Sequence, residues 1–305
     1  MKLLMAIFLA LGLAVAPPAR ALAPLPPPER LTIQSDGHPM RVWARMAQKP
    51  RGSVLFVHGR TWSALPNFDL HSVQTGSQLS ILKAFAAQGF NAYAVDLRGY
   101  GETPRDAIGY LTPKRAAADV DAVLGWIAKR DGRKAMLVGY SRGSQVAFLT
   151  AQTYPDAMSV LVLYGGPGDP ARYANASPPQ VRKAPTTHAD AISDFITPTA
   201  ASPAVVEAYA QAALKSDPVK MDWGQEDQFN PADPAQIKVP TLFIHGVADP
   251  NANAAFLSRL FVGLGNPAKA WVVLPNADHA AHVEKGQAQW VAAIIDFWNL
   301  NRPTP

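Results

Sequence analysis

The feature of this sequence that most constrains its fold is a regular alternation of short apolar runs with helical patterns. The run Ser53–Val57 is apolar almost throughout, which is typical of a strand buried on both faces of a parallel sheet. Farther along, Ala116–Lys129 repeats apolar residues every three to four positions, as an amphipathic helix does. Strands alternating with helices predict an α/β fold with a mostly parallel central sheet flanked by helices. The predicted strands are Leu31–Gln34, Met40–Arg45, Ser53–Val57, Ala92–Val95, Ala135–Val138, Val160–Leu163, Thr241–Ile244 and Trp271–Leu274.

The alternation breaks between residues 166 and 238. Pro-rich patches there alternate with short helical stretches such as Ala204–Leu214, and no clear strand is present. We interpret residues 166–238 as a lid inserted into the fold. Residues 22–165 and 239–305 are then the two parts of the core.

The first residues have the pattern of a targeting segment. Lys2 precedes the apolar run Leu3–Val15, which is shorter than the roughly 20 residues that a membrane-spanning helix needs. The run is followed by small residues at the positions that signal peptidase reads. The sequence therefore predicts a signal peptide over residues 1–21, with cleavage after Ala21 and with Ala23 as the alternative. We expect an exported protein, periplasmic or secreted, without a stable membrane anchor.

Composition excludes several other classes of protein. The chain has no cysteine, so it has no disulfide, no thiolate nucleophile and no cysteine-based metal site. Its net charge of +5 is not concentrated in a basic run, which argues against nucleic-acid binding. No Gly-rich phosphate loop or dinucleotide fingerprint is present. We therefore expect a small-molecule substrate and neither a cofactor nor a metal ion.

One pentapeptide has the pattern of an activated serine. Gly139-Tyr140-Ser141-Arg142-Gly143 lies between a predicted strand, Ala135–Val138, and a predicted helix, Gln145–Gln152. In such a turn the small flanking residues let the backbones approach closely, and the serine hydroxyl is exposed at the end of the strand. The alternative interpretation is an ordinary Gly-rich turn.

A serine hydroxyl needs a base within hydrogen-bond reach, and the base needs an acid that orients it. His279 follows the last predicted strand, and His282 is its closest rival. Asp249 follows the strand Thr241–Ile244. The alternative acid is Asp169, whereas Asp278 is an awkward partner because it is adjacent to His279 in the chain.

These residues resemble those of the α/β-hydrolase fold superfamily. The resembling residues are His58-Gly59, Asp96-Leu97-Arg98-Gly99-Tyr100-Gly101, the turn around Ser141, Asp249, and His279 followed by Glu284. The chain order serine, aspartate, histidine is the order of the triad in that superfamily. The resemblance implies that Ser141 is the nucleophile, that His279 is the general base and then the acid, and that Asp249 orients His279.

The resemblance also implies an oxyanion hole made of two backbone N–H groups. One is that of Arg142, directly after the nucleophile, and the other follows His58-Gly59. We expect Arg60 to supply the second group. Because the segment from Arg60 to Gly76 lacks the Gly-Gly run of many lipases, Thr61 is the alternative. The aromatic residues of this segment and of the lid fit two interpretations, pocket lining and packing; they are Trp62, Phe68, Trp223 and Phe229.

The function that we predict is that of an exported serine hydrolase that cleaves carboxylic esters through an acyl-enzyme. A first alternative is an aminopeptidase or amidase of the same fold, which would use acidic residues near the pocket to hold a substrate amine. Candidate acids in the lid are Glu207, Asp222, Glu226 and Asp227. A second alternative is a non-catalytic binding protein with a hydrolase fold.

Overall fold

The computed structural model describes residues 25–71, 79–166, 173 and 180–302. The predicted signal peptide and the alternative acid Asp169 lie outside the described residues.

Eight strands form one central sheet. They are β1 (Glu29–Ser35), β2 (His38–Arg45), β3 (Gly52–Val57), β4 (Phe90–Asp96), β6 (Met136–Tyr140), β7 (Val160–Tyr164), β9 (Thr241–Gly246) and β10 (Lys269–Leu274). Two further strands, β5 (Tyr110–Leu111) and β8 (Asp222–Trp223), pair with each other outside that sheet. The order in the central sheet is β1-β2-β4-β3-β6-β7-β9-β10, and the strands from β4 to β10 in that order are parallel. This arrangement confirms the predicted mostly parallel sheet.

Strands β1 and β2 pair in antiparallel fashion and are joined by a two-residue hairpin turn. Asp36 and Gly37 connect β1 to β2, and both have positive φ angles, 50° and 72°. That combination is typical of the two-residue turns whose twist matches paired strands.

Helices cover both faces of the sheet. They are α1 (Ala64–Phe68), α2 (Ile81–Ala87), α3 (Pro113–Asp131), α4 (Arg142–Thr153), α5 (His188–Ile192), α6 (Pro203–Ser216), α7 (Ala254–Gly263) and α8 (Gln287–Asn301). Buried residues of α3, α4 and α7 form one core cluster with the sheet, and those of α1, α2 and α8 form another. Within the described residues, no helix has the length and apolar character to cross a membrane.

The burial of strand β3 explains why four of its residues in a row are apolar. Leu55 and Val57 belong to the core on one face of the sheet, whereas Val54 and Phe56 belong to the core on the other. All four side chains are fully buried. A strand covered on both faces cannot alternate apolar with polar residues.

The segment between β7 and β9 differs in one respect from the sequence prediction. A strand is present there after all: β8 is two residues long and pairs with β5, too short to leave an apolar run. The segment also has an apolar cluster that binds it to the rest of the chain, in which Tyr209 and Ala213 of α6 pack with Trp62 and Val283.

Candidate active site

The backbone at Ser141 has the strained geometry that the pentapeptide predicts. Ser141 lies between β6 and α4 with φ 53° and ψ −116°. A Cβ atom at Gly139 would lie 2.3 Å from the carbonyl oxygen of Gly143, and one at Gly143 would lie 2.3 Å from that of Val57. The two glycines are therefore required by the close approach of three backbones. Non-glycine residues with such strain cluster at functional sites.

Helix α4 begins at the residue after Ser141. The positive end of the helix dipole consequently lies beside the serine and favours negative charge that develops there. The Ser141 hydroxyl makes no hydrogen bond with His279 or with another of the described residues. In unliganded enzymes such bonds often form only when substrate is present.

The two predicted partners of the serine meet each other at the same edge of the sheet. Asp249 follows β9 and His279 follows β10, and these strands are parallel neighbours. Nδ1 of His279 is 3.1 Å from each carboxylate oxygen of Asp249. The carboxylate also accepts a hydrogen bond of 2.9 Å from the backbone N–H of Asn251. This pairing leaves Nε2 as the free nitrogen of His279.

The surroundings of His279 favour its protonated form. Burial alone would lower the pKa of His279, but the hydrogen bond and charge of Asp249 outweigh it and raise the pKa. The charges of Asp194 and Asp278 act in the same direction. An imidazole in this setting accepts a proton readily, as a general base must.

His282 has the environment of a core residue. Its ring is fully buried against Tyr140, Phe68 and Trp290. Burial and the nearby charge of His279 lower the pKa of His282 to about 3, so that it stays neutral. Its Nδ1 atom lies 3.2 Å from the hydroxyl of Tyr164.

Asp278 has partners of its own, and within the described residues its side chain makes no hydrogen bond with the His279 ring. It accepts hydrogen bonds from the backbone N–H groups of Ala280 and Thr197. Burial, together with the Asp278 side chain, raises the pKa of Glu284 to about 9. Glu284 therefore keeps its proton at neutral pH, and hydrogen bonding to this group helps to lower the pKa of Asp278 against the effect of burial. The contact between Asp278 and Glu284 joins the two ends of the loop that carries His279.

Backbone N–H groups are available where the oxyanion hole is predicted. Those of Arg60, Thr61 and Arg142 donate to no other group in the described part of the chain. The preceding peptide is oriented by His58, whose Nδ1 bonds to the carbonyl of Gly59 at 2.8 Å. Burial lowers the pKa of His58 to about 4, which keeps that ring neutral. Thus His58 positions the loop that carries Arg60 and Thr61.

A cavity of about 330 Å³ opens beside the serine. Ser141, Arg142 and Arg60 line one part of it, and Asn251 and Phe256 line another. The four aromatic candidates are absent from its described lining, because Trp62 and Phe68 are packed in the core clusters and Trp223 and Phe229 pack against Arg142. Packing is therefore the interpretation that the structure supports for Trp62, Phe68 and Phe229, whereas Trp223 also lines a second cavity of about 600 Å³ that shares Arg60 and Tyr173 with the first.

Sequence reasoning missed one acid near the site. Asp194 precedes α6 and is half-buried, and its charge raises the pKa of His279. Burial raises the pKa of Asp194 itself. No motif marks this residue, because only the packing of the segment brings it to the site.

Of the four lid acids that the sequence suggested, three have hydrogen-bond or ion-pair partners and the fourth is exposed. Glu207 bonds to His188 on the surface, and Asp222 accepts the N–H groups of Arg182 and Lys183. Glu226 pairs with Arg60 and Arg142. Asp227 is exposed, and its side chain makes no hydrogen bond or ion pair within the described residues.

We expect Gly165→Ala to lower turnover about 10- to 100-fold, because small displacements of catalytic groups have effects of that size. A Cβ atom at Gly165 would lie 3.0 Å from Cε1 of His279 and 3.4 Å from the backbone nitrogen of Ser141. Gly165 also has a φ of +71°, so alanine would be strained. The matched control is Gly132→Ala, which has a φ of +69° and no atom within 4 Å of the added methyl group. Steady-state kinetics should show equal activity for the control and wild type; an active Gly165→Ala variant would contradict the expectation.

The sheet order, the serine turn and the aspartate–histidine pair define an α/β hydrolase. The chain belongs to the family described as serine aminopeptidase S33, which it matches over residues 48–286. Among curated proteins it is similar to ethanol acetyltransferase 1 of Eremothecium cymbalariae strain CBS 270.75, with 29% identity over 144 residues. That match covers 46% of this chain and 36% of the relative, so it spans about a third of the relative's length.

Solved structures share the fold at low sequence identity. An esterase from Thermogutta terrifontis has a TM-score of 0.63 and 18% identity, over 90% of this chain and 100% of that one. The thioesterase domain from the curacin biosynthetic pathway has a TM-score of 0.58 and 17% identity, over 88% and 99%. Epoxide hydrolase A from Mycobacterium thermoresistibile has a TM-score of 0.62 and 18% identity, over 89% and 98%. Likeness at this identity concerns the fold alone.

Proposed function

We propose that the protein is a serine hydrolase that cleaves carboxylic esters through an acyl-enzyme, with Ser141, His279 and Asp249 as its triad. The observation that carries the proposal is the strained serine at the start of α4, beside a histidine paired with a buried aspartate. An aspartate in place of Ser141 would have favoured dehalogenase or epoxide hydrolase chemistry instead.

In the proposed first step, the Ser141 hydroxyl oxygen attacks the ester carbonyl carbon and its proton passes to Nε2 of His279. The resulting oxyanion accepts hydrogen bonds from Arg142 N–H and from Arg60 N–H. When the tetrahedral intermediate collapses, the ester C–O bond breaks and His279 returns the proton to the departing alcohol. A water molecule then attacks the acyl group in the same way, which releases the carboxylic acid and restores Ser141.

The experiment that tests ester specificity is a panel of p-nitrophenyl esters from acetate to decanoate, compared with aminoacyl p-nitroanilides. Ethanol is added in a parallel series, because the name of the curated relative suggests that an alcohol can also accept the acyl group. Ester turnover with a burst of p-nitrophenol supports the proposal. Cleavage of the anilides alone would contradict it in favour of the aminopeptidase.

One observation favours the aminopeptidase as a second candidate. Asp194 makes no hydrogen bond or ion pair within the described residues, and its charge reaches His279. A carboxylate in that position suits a substrate ammonium group. The family description points the same way.

The Asp194→Asn variant separates the two candidates. Because Asp194 helps to raise the pKa of His279, its removal should shift the acidic limb of kcat/KM for esters to lower pH. For an esterase the plateau above that limb should be unchanged. For an aminopeptidase, KM for aminoacyl anilides should rise because the ammonium group loses its partner.

The control for this pH profile is Asp296→Asn, which removes the same charge from the exposed face of α8. Its profile should match that of the wild type. An acidic limb that stays in place in Asp194→Asn would show that Asp194 does not act on His279.

We further propose that residues 166–238 form a lid that sets substrate size. The segment leaves the core after β7, at the edge of the sheet where Ser141 lies, and returns at the opposite edge, before β9. Ligands bind at the first of these two edges in open α/β sheets. Replacing the segment with a short linker should broaden the preference for acyl length; an unchanged preference in a folded variant would place selectivity in the segment from Arg60 to Gly76.

Export with cleavage after Ala21 also belongs to the proposal. It is supported by the charge, apolar run and small-residue site at the start of the sequence. Mass spectrometry of the N-terminus in the extracytoplasmic fraction tests it. Met1 retained on a cytoplasmic protein would contradict it.

A further inference from the structure

We infer that Glu226 is a positioning residue for the oxyanion hole, because it joins the side chains of the two residues whose N–H groups form the hole, Arg60 and Arg142. This inference rests on the proposed function. It gives the segment between β7 and β9 a role in the chemical step in addition to substrate selection.

The Arg142 side chain is shielded from water by aromatic rings. Its guanidinium group is almost completely buried, with 6% of the side chain exposed. It lies 5.3 Å from the centre of each of three aromatic rings, those of Tyr173, Trp223 and Phe229. A charged group removed from water to this degree needs a compensating charge.

Glu226 supplies that charge. One of its carboxylate oxygens lies 2.8 Å from a terminal nitrogen of Arg142. The remaining polar contacts of the guanidinium are neutral: Gln145 accepts a hydrogen bond of 2.8 Å and the Tyr173 hydroxyl one of 3.0 Å. Within the described residues, Glu226 is therefore the one carboxylate in contact with Arg142.

The same carboxylate also binds Arg60. Its other oxygen accepts a hydrogen bond of 2.9 Å from the Arg60 guanidinium. About half of the Arg60 side chain is exposed, so the ion pair with Glu226, rather than burial, keeps this side chain beside Arg142. Without Glu226 the two positive groups would repel each other, and Arg60 would be free to turn toward solvent.

The backbone of Arg60 is held by the same part of the chain. Its carbonyl oxygen accepts a hydrogen bond from the hydroxyl of Tyr100, and that hydroxyl accepts one of 2.8 Å from the indole N–H of Trp223. Trp223 and Glu226 are three residues apart. The hydrogen bond to its carbonyl orients the peptide between Arg60 and Thr61, whereas the bond of His58 to the Gly59 carbonyl orients the peptide that carries the Arg60 N–H. The segment that holds Trp223 and Glu226 thus contacts Arg60 through both its carbonyl and its side chain.

Glu226 therefore contacts the two residues that carry the proposed donors. An oxyanion donor acts only if its N–H is already aimed at the position where charge develops. The bridge through Glu226 holds the loop after β3 against the start of α4, and these two elements carry the two donors.

The test compares Glu226→Gln with Asp227→Asn. Each variant removes one negative charge from adjacent positions, but the Asp227 side chain is exposed and makes no hydrogen bond or ion pair in the described part of the protein. We expect Glu226→Gln to lower kcat for p-nitrophenyl acetate about 10- to 100-fold, somewhat less than removal of a donor itself. KM should change little, and Asp227→Asn should match the wild type.

A thionoester supplies a readout that general damage to the site would not produce. Sulfur accepts hydrogen bonds weakly, so a C=S substrate draws little benefit from the oxyanion hole. The Glu226→Gln variant should lose rate on the oxygen ester and keep most of its rate on the matching thionoester. An equal loss on both substrates, or no loss on either, would overturn the inference.

A double variant guards against misfolding as the explanation. If Glu226 acts by holding the Arg60 side chain, then Arg60→Met combined with Glu226→Gln should be no slower than Glu226→Gln alone. Additive losses would overturn the inference. A wild-type protein that has no esterase activity, and whose Ser141 resists a fluorophosphonate, would refute the proposed function, whereas an active wild type equalled by Glu226→Gln would refute only the inference.

Discussion

Ser141→Ala is expected to abolish ester turnover while the protein keeps its fold. Members of a triad act as a unit, so the loss of the serine should lower kcat by several orders of magnitude. The side chain packs in no core cluster of the described residues, and alanine adopts the same strained backbone as serine does. The thermal unfolding temperature should therefore change little.

Ser144→Ala is the matched control for this variant. Ser144 lies one helical turn beyond Ser141, and its buried hydroxyl has no hydrogen-bond partner among the described residues. Its removal should leave kcat unchanged. If Ser141→Ala retained activity near that of this control, the assignment of the nucleophile would be wrong.

A third serine variant measures the strain at the turn. Ser141→Gly should unfold at a higher temperature than Ser141→Ala, because glycine adopts a φ of 53° without the penalty that a Cβ atom brings. The expected difference is about 1 kcal/mol in the free energy of unfolding. Equal stabilities would mean that the turn is not strained.

His279→Ala is expected to be as inactive as Ser141→Ala, whereas His282→Ala should keep its turnover per folded molecule. The reason lies in the two environments. Nδ1 of His279 bonds to Asp249, and the raised pKa of His279 lets it accept a proton, whereas burial lowers the pKa of His282 to about 3. The measurement is kcat on one ester, corrected for the folded fraction.

The same two variants should differ in stability in the opposite order: His282→Ala, which keeps its turnover, should be the less stable of the two. His282 packs among Tyr140, Tyr164 and Trp290, so alanine there leaves a cavity that costs about 2–4 kcal/mol. Among the described residues the His279 ring packs against one other ring, that of Tyr140, so its replacement should cost less. A folded, inactive His282→Ala beside an active His279→Ala would exchange their roles.

Local patterns explain why so much of the fold could be predicted from the sequence. Strands such as β3 are apolar on both faces, and the turn at Ser141 needs glycines at fixed spacings, so each leaves a short-range signal. The helix after Ser141 begins three residues earlier than predicted, because Arg142 and Gly143 already have helical geometry. Helix α7 was not predicted, although it lies in the core.

The parts of the site that could not be predicted depend on contacts between distant segments. Asp194 and Glu226 carry no motif, and each gains its role only when the segment between β7 and β9 packs over the sheet edge. The pairing of His279 with Asp249 was predictable because both follow adjacent parallel strands. Its geometry, with one nitrogen shared by two carboxylate oxygens, was not.

The measurement that tests the central claim most directly is labelling with a fluorophosphonate probe, followed by peptide mapping in a mass spectrometer. The probe reacts with a serine only where a base and an oxyanion hole activate it. The account predicts one adduct per protein molecule, located on Ser141 and lost in both His279→Ala and Ser141→Ala, but present in Ser144→Ala. An adduct on another residue, or an unlabelled wild-type protein, would contradict it.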